Sequence, residues 1–208
     1  MFLLNEKVIY PGYGVAVINR LVERLVVNKK TNFFELKFFN KDMTVLIPED
    51  RLESIGVRKL STEQELTMMF DCLHNFNVCD IIREHNASTW NKRNKEYQSK
   101  LRNGQLLGIA SIYKELQLIG LDKELSFGER NLFNQIEFLL VEEICAVHQK
   151  QVIEDVKIQL RTPFEKMEKQ LAARVFSKGH HQLHAADQLS HKVVVGINNS
   201  VHKTEASL

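Results

Sequence analysis

Apolar and β-branched residues dominate four short stretches within the first 58 residues, at 8–10, 15–27, 33–39 and 43–47. Turn-forming residues separate these stretches at 11–14, 28–32 and 40–42. Short strands joined by tight turns at this spacing favour a small antiparallel barrel or a strongly bent sheet. The stretch 15–27 is long, and it would have to bend or bulge to serve both sides of such a sheet.

Beyond Gly56 the apolar residues recur at helical spacing, and this pattern continues to about residue 150. Thr62 with Glu65, and Ser126 three residues before a glutamate, match the capping box that opens helices. Gly104 and Gly120 predict helix ends. Three apolar stripes are interpreted as the mutual core of a helical bundle: Leu66, Met69, Phe70 and Leu73; Leu106, Ile109, Tyr113 and Leu116; Phe133, Ile136, Leu140, Ile144 and Val147.

These changes of pattern predict an α+β protein in four parts: a β domain over 1–58, a linker over 59–64, a helical domain over 65–150 and an extension over 151–208. The extension is expected to be partly disordered or helical. It carries a histidine cluster, His180, His181 and His184, whose spacing suits one face of a helix and a transition metal. A loosely ordered tail is the interpretation we favour for it.

The formal net charge of the 208 residues is only +2, so any surface for nucleic acid must be local. Cys72, Cys79 and Cys145 form no CxxC pair, which favours buried thiols in a reducing compartment. No signal peptide and no run near the ~18 apolar residues of a membrane helix is evident. These features predict a cytoplasmic protein without a membrane contact.

The single tryptophan, Trp90, stands in the most basic segment of the chain. From Trp90 to Arg102 there are five basic residues and one acidic residue. If Ser88 or Thr89 caps a helix there, Trp90 falls in its first turn. Lysine and arginine neutralise DNA phosphates, and an apolar wedge beside them can enter a distorted base step from the minor groove. The alternative is that Trp90 packs on another helix and the charges form a solvated face.

Catalysis is not expected from this sequence, because no phosphate loop, nucleophile elbow or HExxH motif occurs. Two acidic groups, Glu142 with Glu143 and Asp122 with Glu124, are interpreted as solvated surface charges. We therefore predict a protein that is not an enzyme and has no cofactor, bound metal or small-molecule substrate.

Five motifs, in order over residues 2 to about 148, resemble those of the CarD/CdnL family of bacterial transcription factors. The matching segments are Val8–Val15 (VIYPGYGV), Met43–Pro48 with Gly56–Arg58, Trp90–Arg93 (WNKR), Leu101–Gly104 (LRNG) and Leu125–Arg130 (LSFGER). The sequence departs from the family pattern at Tyr13, at Leu46 and at Gln105. The segment after residue 150 has no recognised counterpart.

The resemblance implies a Tudor-like N-terminal domain that binds the β subunit of RNA polymerase, and Arg24, Met43 and Leu46 are the residues assigned to that contact. It also implies a helical domain on promoter DNA at the nucleoid. There Trp90 would wedge into the minor groove at the upstream edge of the −10 element and stabilise the open complex. The residues assigned to the DNA backbone are Lys92, Arg93 and Lys95.

Two other interpretations stay open. The protein could be an adaptor that binds polymerase or a repair factor, with Trp90 buried among the helices. It could instead be a sequence-specific repressor, which would need bidentate contacts to base edges. No convincing helix-turn-helix with a dimer interface supports the repressor.

Overall fold

The computed structural model describes residues 2–75, 88–149 and 152–165, together with residue 168. An antiparallel sheet occupies the N-terminal part and helices follow it, so the protein is α+β as predicted. Met1–Phe164 is one compact unit. The histidine cluster and Cys79 lie outside the described residues, whereas Cys72 and Cys145 are half-buried free thiols. No described helix is long and apolar enough to cross a bilayer.

Five strands form the sheet: β1 Lys7–Tyr10, β2 Gly14–Val26, β3 Lys29–Phe38, β4 Thr44–Pro48 and β5 Arg58–Lys59. Their order is β4-β3-β2-β1-β5, and every neighbouring pair is antiparallel. The sheet is therefore open, with β4 and β5 at its edges. The closed Tudor-like barrel that the resemblance implies is not confirmed.

The long strand β2 bends as its sequence predicts. Its pairing with β3 shifts between Ile18 and Arg20, which is the register change of a β-bulge. The turn into β3 is tighter than expected, because it uses only Val27 and Asn28, both at positive φ. Positive φ at two central residues matches the twist of a two-residue hairpin. One face of the sheet holds a core around Val8, Ala16, Ile18, Phe34, Leu36, Phe38, Ile47, Leu52 and Val57.

The main helices are α2 Glu63–His74, α3 Trp90–Asn103, α4 Leu106–Asp122 and α5 Phe127–His148, after a short α1 Leu52–Ile55. Both predicted capping boxes are confirmed, at the starts of α2 and α5. Gly104 ends α3 as predicted, in the left-handed conformation that glycine adopts at low cost. Gly120 does not end α4, which continues for two residues to Asp122.

The apolar stripes pack as predicted into the helical core. Of the residues in them, Phe70, Phe133 and Val147 are half-buried and the others are buried. A further helical stretch at 153–165 adds Val156, Leu160 and Phe164 to this core. The Phe164 ring meets Tyr113 edge-on, with centroids 6.1 Å apart. The extension therefore contributes core residues at its start.

An ion pair connects the sheet to α5. Arg58 donates to both oxygens of Glu143, at 2.6 and 2.8 Å, and also donates to the carbonyl of Gly104. Glu143 accepts two more hydrogen bonds, from the backbone N–H and hydroxyl of Ser61. We call this set, Arg58, Ser61, Gly104 and Glu143, the junction. It includes buried Ser61, from the stretch 59–64 that was predicted as a linker.

The interpretation of Glu142 and Glu143 as solvated surface charges is wrong, since they are only 9% and 2% exposed. Glu142 accepts from the backbone N–H of Val15 at 2.9 Å and from the Asn40 amide at 2.9 Å. Burial nevertheless raises the pKa of this carboxyl. Both glutamates therefore bind the sheet, whereas Asp122 and Glu124 are exposed as predicted.

Motif residues that are distant in sequence meet beside the junction. Pro11 lies between two glycines, Gly56 and Gly104, and a Cβ added to either glycine would come within 3.1 Å of the proline Cγ. Both glycines also have positive φ, at 90° and 64°. A larger residue would thus meet the proline ring and adopt a strained backbone. Three of the five motifs consequently meet at one contact between the sheet and the helices.

Candidate nucleic-acid interface

Trp90 is the first residue of α3, and Thr89 occupies the N-cap position. The position in the first turn is the one predicted, although the Thr89 side chain makes no capping hydrogen bond. The indole is half-buried. It lies against Tyr97, two turns farther along the same helix, with ring centroids 6.5 Å apart and planes at 60°. Tyr97 is buried, so the indole rests on a fixed aromatic surface.

The Tyr97 ring is held from the next helix. Its hydroxyl donates to Glu115 of α4 at 2.6 Å. Burial, together with this bond to a carboxylate, raises the pKa of the phenol far above its usual range, so the hydroxyl stays protonated. The donor is therefore retained at any physiological pH. Tyr97 gives Trp90 a support that does not titrate.

Arg93 lies beneath the indole in an ion pair with α5. Its guanidinium carbon is 6.0 Å from the centroid of the Trp90 ring, within cation–π range. One terminal nitrogen donates to Glu129 at 2.9 Å, and the other donates to the carbonyl of Ser88. The side chains of the ion pair are only 9% and 6% exposed. A buried charge of this kind needs its partner, so Arg93 fixes the start of α3 against α5.

Glu129 has two roles at once. Besides accepting from Arg93, it accepts from the N–H and hydroxyl of Ser126 at 3.0 and 2.7 Å, which completes the capping box of α5. The capping box, visible in the sequence, therefore also supplies the counterion of Arg93. Sequence reasoning found the first role and missed the second, because nothing in the local pattern relates Glu129 to a residue 36 positions away.

Gly128 completes the seat of Trp90. A Cβ added to Gly128 would stand 3.1 Å from Cζ2 of the indole and 3.5 Å from Cε2. The indole thus lies directly on the first turn of α5. We call the residues beneath and around it, Arg93, Tyr97, Gly128 and Glu129, the Trp90 seat.

Gly128→Ala is expected to push the indole a few tenths of an ångström outward, because the new methyl group needs the space that Cζ2 occupies. Trp90 is the only tryptophan, so its fluorescence reports this site alone. We expect a red-shifted emission maximum and easier quenching by acrylamide. The matched control is Gly108→Ala in α4, whose Cβ would have an ordinary 3.9 Å contact. That control should stabilise the fold by up to about 1 kcal/mol. Unchanged emission in Gly128→Ala would contradict the described contact.

The other residues assigned to DNA lie around the seat in different ways. Lys92 and Lys95 are exposed on α3, where their charges reach solvent. Arg93, grouped with them in the sequence, points inward to Glu129 instead. The structure therefore brings Trp90 and Arg93 together and leaves the two lysines on the open side of the helix.

The residues assigned to the polymerase contact do not all lie on the same face of the sheet. Arg24 of β2 pairs with Thr31 of β3, and Leu46 of β4 pairs with Glu35 of β3. Thr31 and Glu35 are four residues apart on one strand, so all four side chains share a face of the sheet. Met43 instead packs against the core on the opposite side. The structure joins Arg24 and Leu46 in one surface and leaves Met43 out of it.

Metal binding finds no support in the part of the chain that the structure describes, where no three His, Cys, Asp or Glu side chains are close enough to share an ion. The buried carboxylates are instead committed to arginine, backbone and amide partners.

Comparison with known proteins gives concordant matches. Residues 2–61 match the CarD-like/TRCF RID domain, and residues 76–158 match the CarD C-terminal domain. The chain is also similar to YdeB of Bacillus subtilis (strain 168), which is named as a candidate transcription factor. The two are 23% identical over 155 residues, which cover 73% of this chain and 97% of YdeB. The matched order of the two domains, together with the motifs on the sheet, the junction and the Trp90 seat, shows that this chain belongs to the CarD/CdnL family of transcription factors.

Proposed function

We propose that the protein binds the β subunit of RNA polymerase with its sheet and stabilises the promoter open complex with Trp90. In this mechanism the indole enters the minor groove at the upstream edge of the −10 element. The observation that carries the proposal is the tryptophan on its seat: Trp90 begins a helix, lies on the Trp90 seat, and is followed on the same helix by exposed lysines.

The polymerase contact is proposed for the face of the sheet that carries Arg24 and Leu46, which lies opposite the core face. The edge strand β4 offers backbone groups on one side, because only β3 pairs with it. An edge of this kind can accept a strand from a partner protein. The bulge in β2 supports a Tudor-like relationship for the sheet, since small barrels of that kind need a bent strand.

On the DNA side, we propose separate tasks for the basic residues. Lys92 and Lys95 contact phosphates, because their exposed charges can displace counterions. Arg93 is a positioning residue that holds the indole through its stacking and its bond to Glu129. Only a preference for the partly opened fork over closed duplex can shift the equilibrium toward the open complex. A preference of about 1.4 kcal/mol would raise the open-complex population tenfold.

The lifetime of open complexes formed with the cognate polymerase tests the proposal. Wild-type protein is expected to lengthen it, and Trp90→Ala is expected to abolish most of that effect while still binding polymerase. Leu107→Ala, which truncates an exposed apolar residue on α4, is the control and should behave as wild type. Equal lifetimes with wild type and Trp90→Ala would refute the wedge.

One observation favours a second candidate function. The indole is half-buried against Tyr97 and Gly128, which is also what an adaptor with a structural tryptophan would show. An adaptor would bind polymerase and leave open-complex lifetime unchanged in both proteins. It would also lose stability in Trp90→Ala without any change in DNA affinity.

A further inference from the structure

Phe127 is the most exposed aromatic residue in the described part of the chain, with 82% of its surface open to solvent. The next most exposed aromatic, Phe39, is at 56%. Leaving a phenylalanine in water forfeits the stabilisation that its burial would give. Single exposed apolar residues are common, so exposure alone does not indicate a site. The position of Phe127 is what makes its exposure informative.

Phe127 is the first residue of α5, between Ser126 and Gly128. The next residue, Gly128, is the one on which the Trp90 indole lies. The backbone of Phe127 is therefore one residue away from the contact with the indole. The helix does not need an aromatic residue there, because Ser126 and Glu129 already form the capping box. Neither core packing nor capping accounts for a large ring at this position.

We propose that Phe127 forms a second aromatic contact with promoter DNA, next to Trp90, and stacks on a base that is unpaired at the upstream fork. The inference rests on the proposed function and adds a residue and a substrate feature to it. Trp90 contacts the last stacked base step of the duplex, and Phe127 stacks on the face of a base that has left that step. Trp90 begins α3, and the exposed charges of Lys92 and Lys95 on that helix favour a polyanion over an apolar protein surface.

Two aromatic surfaces give a specific expectation for DNA structure. An unpaired base offers its whole face to a ring, whereas a base inside duplex offers none without unstacking. Stacking of one base on an aromatic side chain contributes roughly tenfold in affinity. Phe127 should therefore contribute to fork binding and hardly at all to closed-duplex binding.

The test measures the affinity of the full-length protein for two labelled DNAs at low salt, by fluorescence anisotropy. One is a closed duplex, and the other is the same duplex ending in a single-stranded fork. Phe127→Ala is expected to lose roughly tenfold in fork affinity and to keep wild-type duplex affinity. Phe127→Tyr retains the ring and should bind as wild type, whereas Phe127→Leu should be as weak as the alanine variant. Because the side chain is mostly exposed, the melting temperature should not change in any of these variants.

The matched control is Phe39→Ala. Phe39 is also an exposed phenylalanine, and it lines a cavity with Cys145, eighteen residues along α5 from Phe127. That separation is about 27 Å at the helical rise. Fork affinity should be unaffected in the control.

The outcomes separate this inference from the proposed function. If Trp90→Ala loses fork affinity and Phe127→Ala does not, the second contact is refuted and the wedge stands. If neither variant loses affinity, both are refuted. If Phe127→Ala weakens polymerase binding while fork affinity stays at the wild-type value, Phe127 contacts polymerase, and the inference is also refuted.

Discussion

Glu143→Ala is expected to lower the free energy of unfolding by about 3–5 kcal/mol, the usual cost of removing one partner of a buried ion pair. Glu143 is 2% exposed and accepts four hydrogen bonds, two from Arg58 and two from Ser61. Its removal leaves a largely buried guanidinium without its counterion, bound only to neutral acceptors such as the Gly104 carbonyl, and takes the acceptor from the buried N–H of Ser61. Both groups lie where the sheet meets α5, so the lost stability comes from the contact between the sheet and α5.

Urea unfolding followed by circular dichroism measures this change. The control is Glu23→Ala, which breaks the exposed pair between Glu23 and Lys30, whose side chains are 55% and 75% exposed. An exposed pair contributes about 0–1 kcal/mol, so the control should unfold close to wild type. A loss below about 1 kcal/mol in Glu143→Ala would show that the junction is not a stabilising contact in solution.

Arg93→Met is expected to destabilise the fold by about 3 kcal/mol, at the lower end of the range for buried pairs. The lower end applies because Glu129 keeps its two hydrogen bonds from Ser126 when the guanidinium is removed. Methionine preserves much of the aliphatic stem that packs near the indole. The emission of Trp90 should also change, since the cation leaves the ring.

A double-mutant cycle with Glu129→Gln isolates the ion pair. Glutamine can still complete a capping box, so this change removes charge and keeps the helix start. The double variant is expected to be more stable than the sum of the single losses implies, by about 1–3 kcal/mol. Additive losses would mean that Arg93 and Glu129 do not interact in solution, and the Trp90 seat would then lose its main support.

Local structure was largely predictable from the sequence, because its causes are local. The capping boxes at Thr62 and Ser126 each need two residues three apart, and both formed. The position of Trp90 in the first turn of its helix followed from the residues just before it. Gly120 shows the limit of such signals, since α4 passes through it to Asp122. A glycine inside a helix costs about 1 kcal/mol, and the burial of Leu118 and Ile119 just before Gly120 offsets that cost.

Long-range pairing was not predictable, because no local pattern encodes it. Arg58 and Glu143 are 85 positions apart, and each looks like an ordinary charged residue in its own segment. Arg93 looked equivalent to Lys92 and Lys95, but helical geometry turns it toward α5 and leaves the lysines in solvent. The partner of a charge is set by the packing of distant elements, and packing is visible only in three dimensions.

The junction would make the protein selective for the position of the fork in a promoter. Arg58 is paired with Glu143, and Pro11 lies between Gly56 and Gly104. These two contacts hold the sheet and the helices at a fixed distance from each other. Under the proposed function, the sheet binds polymerase and the helices carry Trp90, so the distance between the polymerase contact and the indole is also fixed. A promoter whose upstream fork lies at this distance from the polymerase contact can bind the Trp90 indole without being deformed. One whose fork lies elsewhere must bend its DNA to meet the indole, and that bending cost becomes a form of promoter selectivity without any base being read.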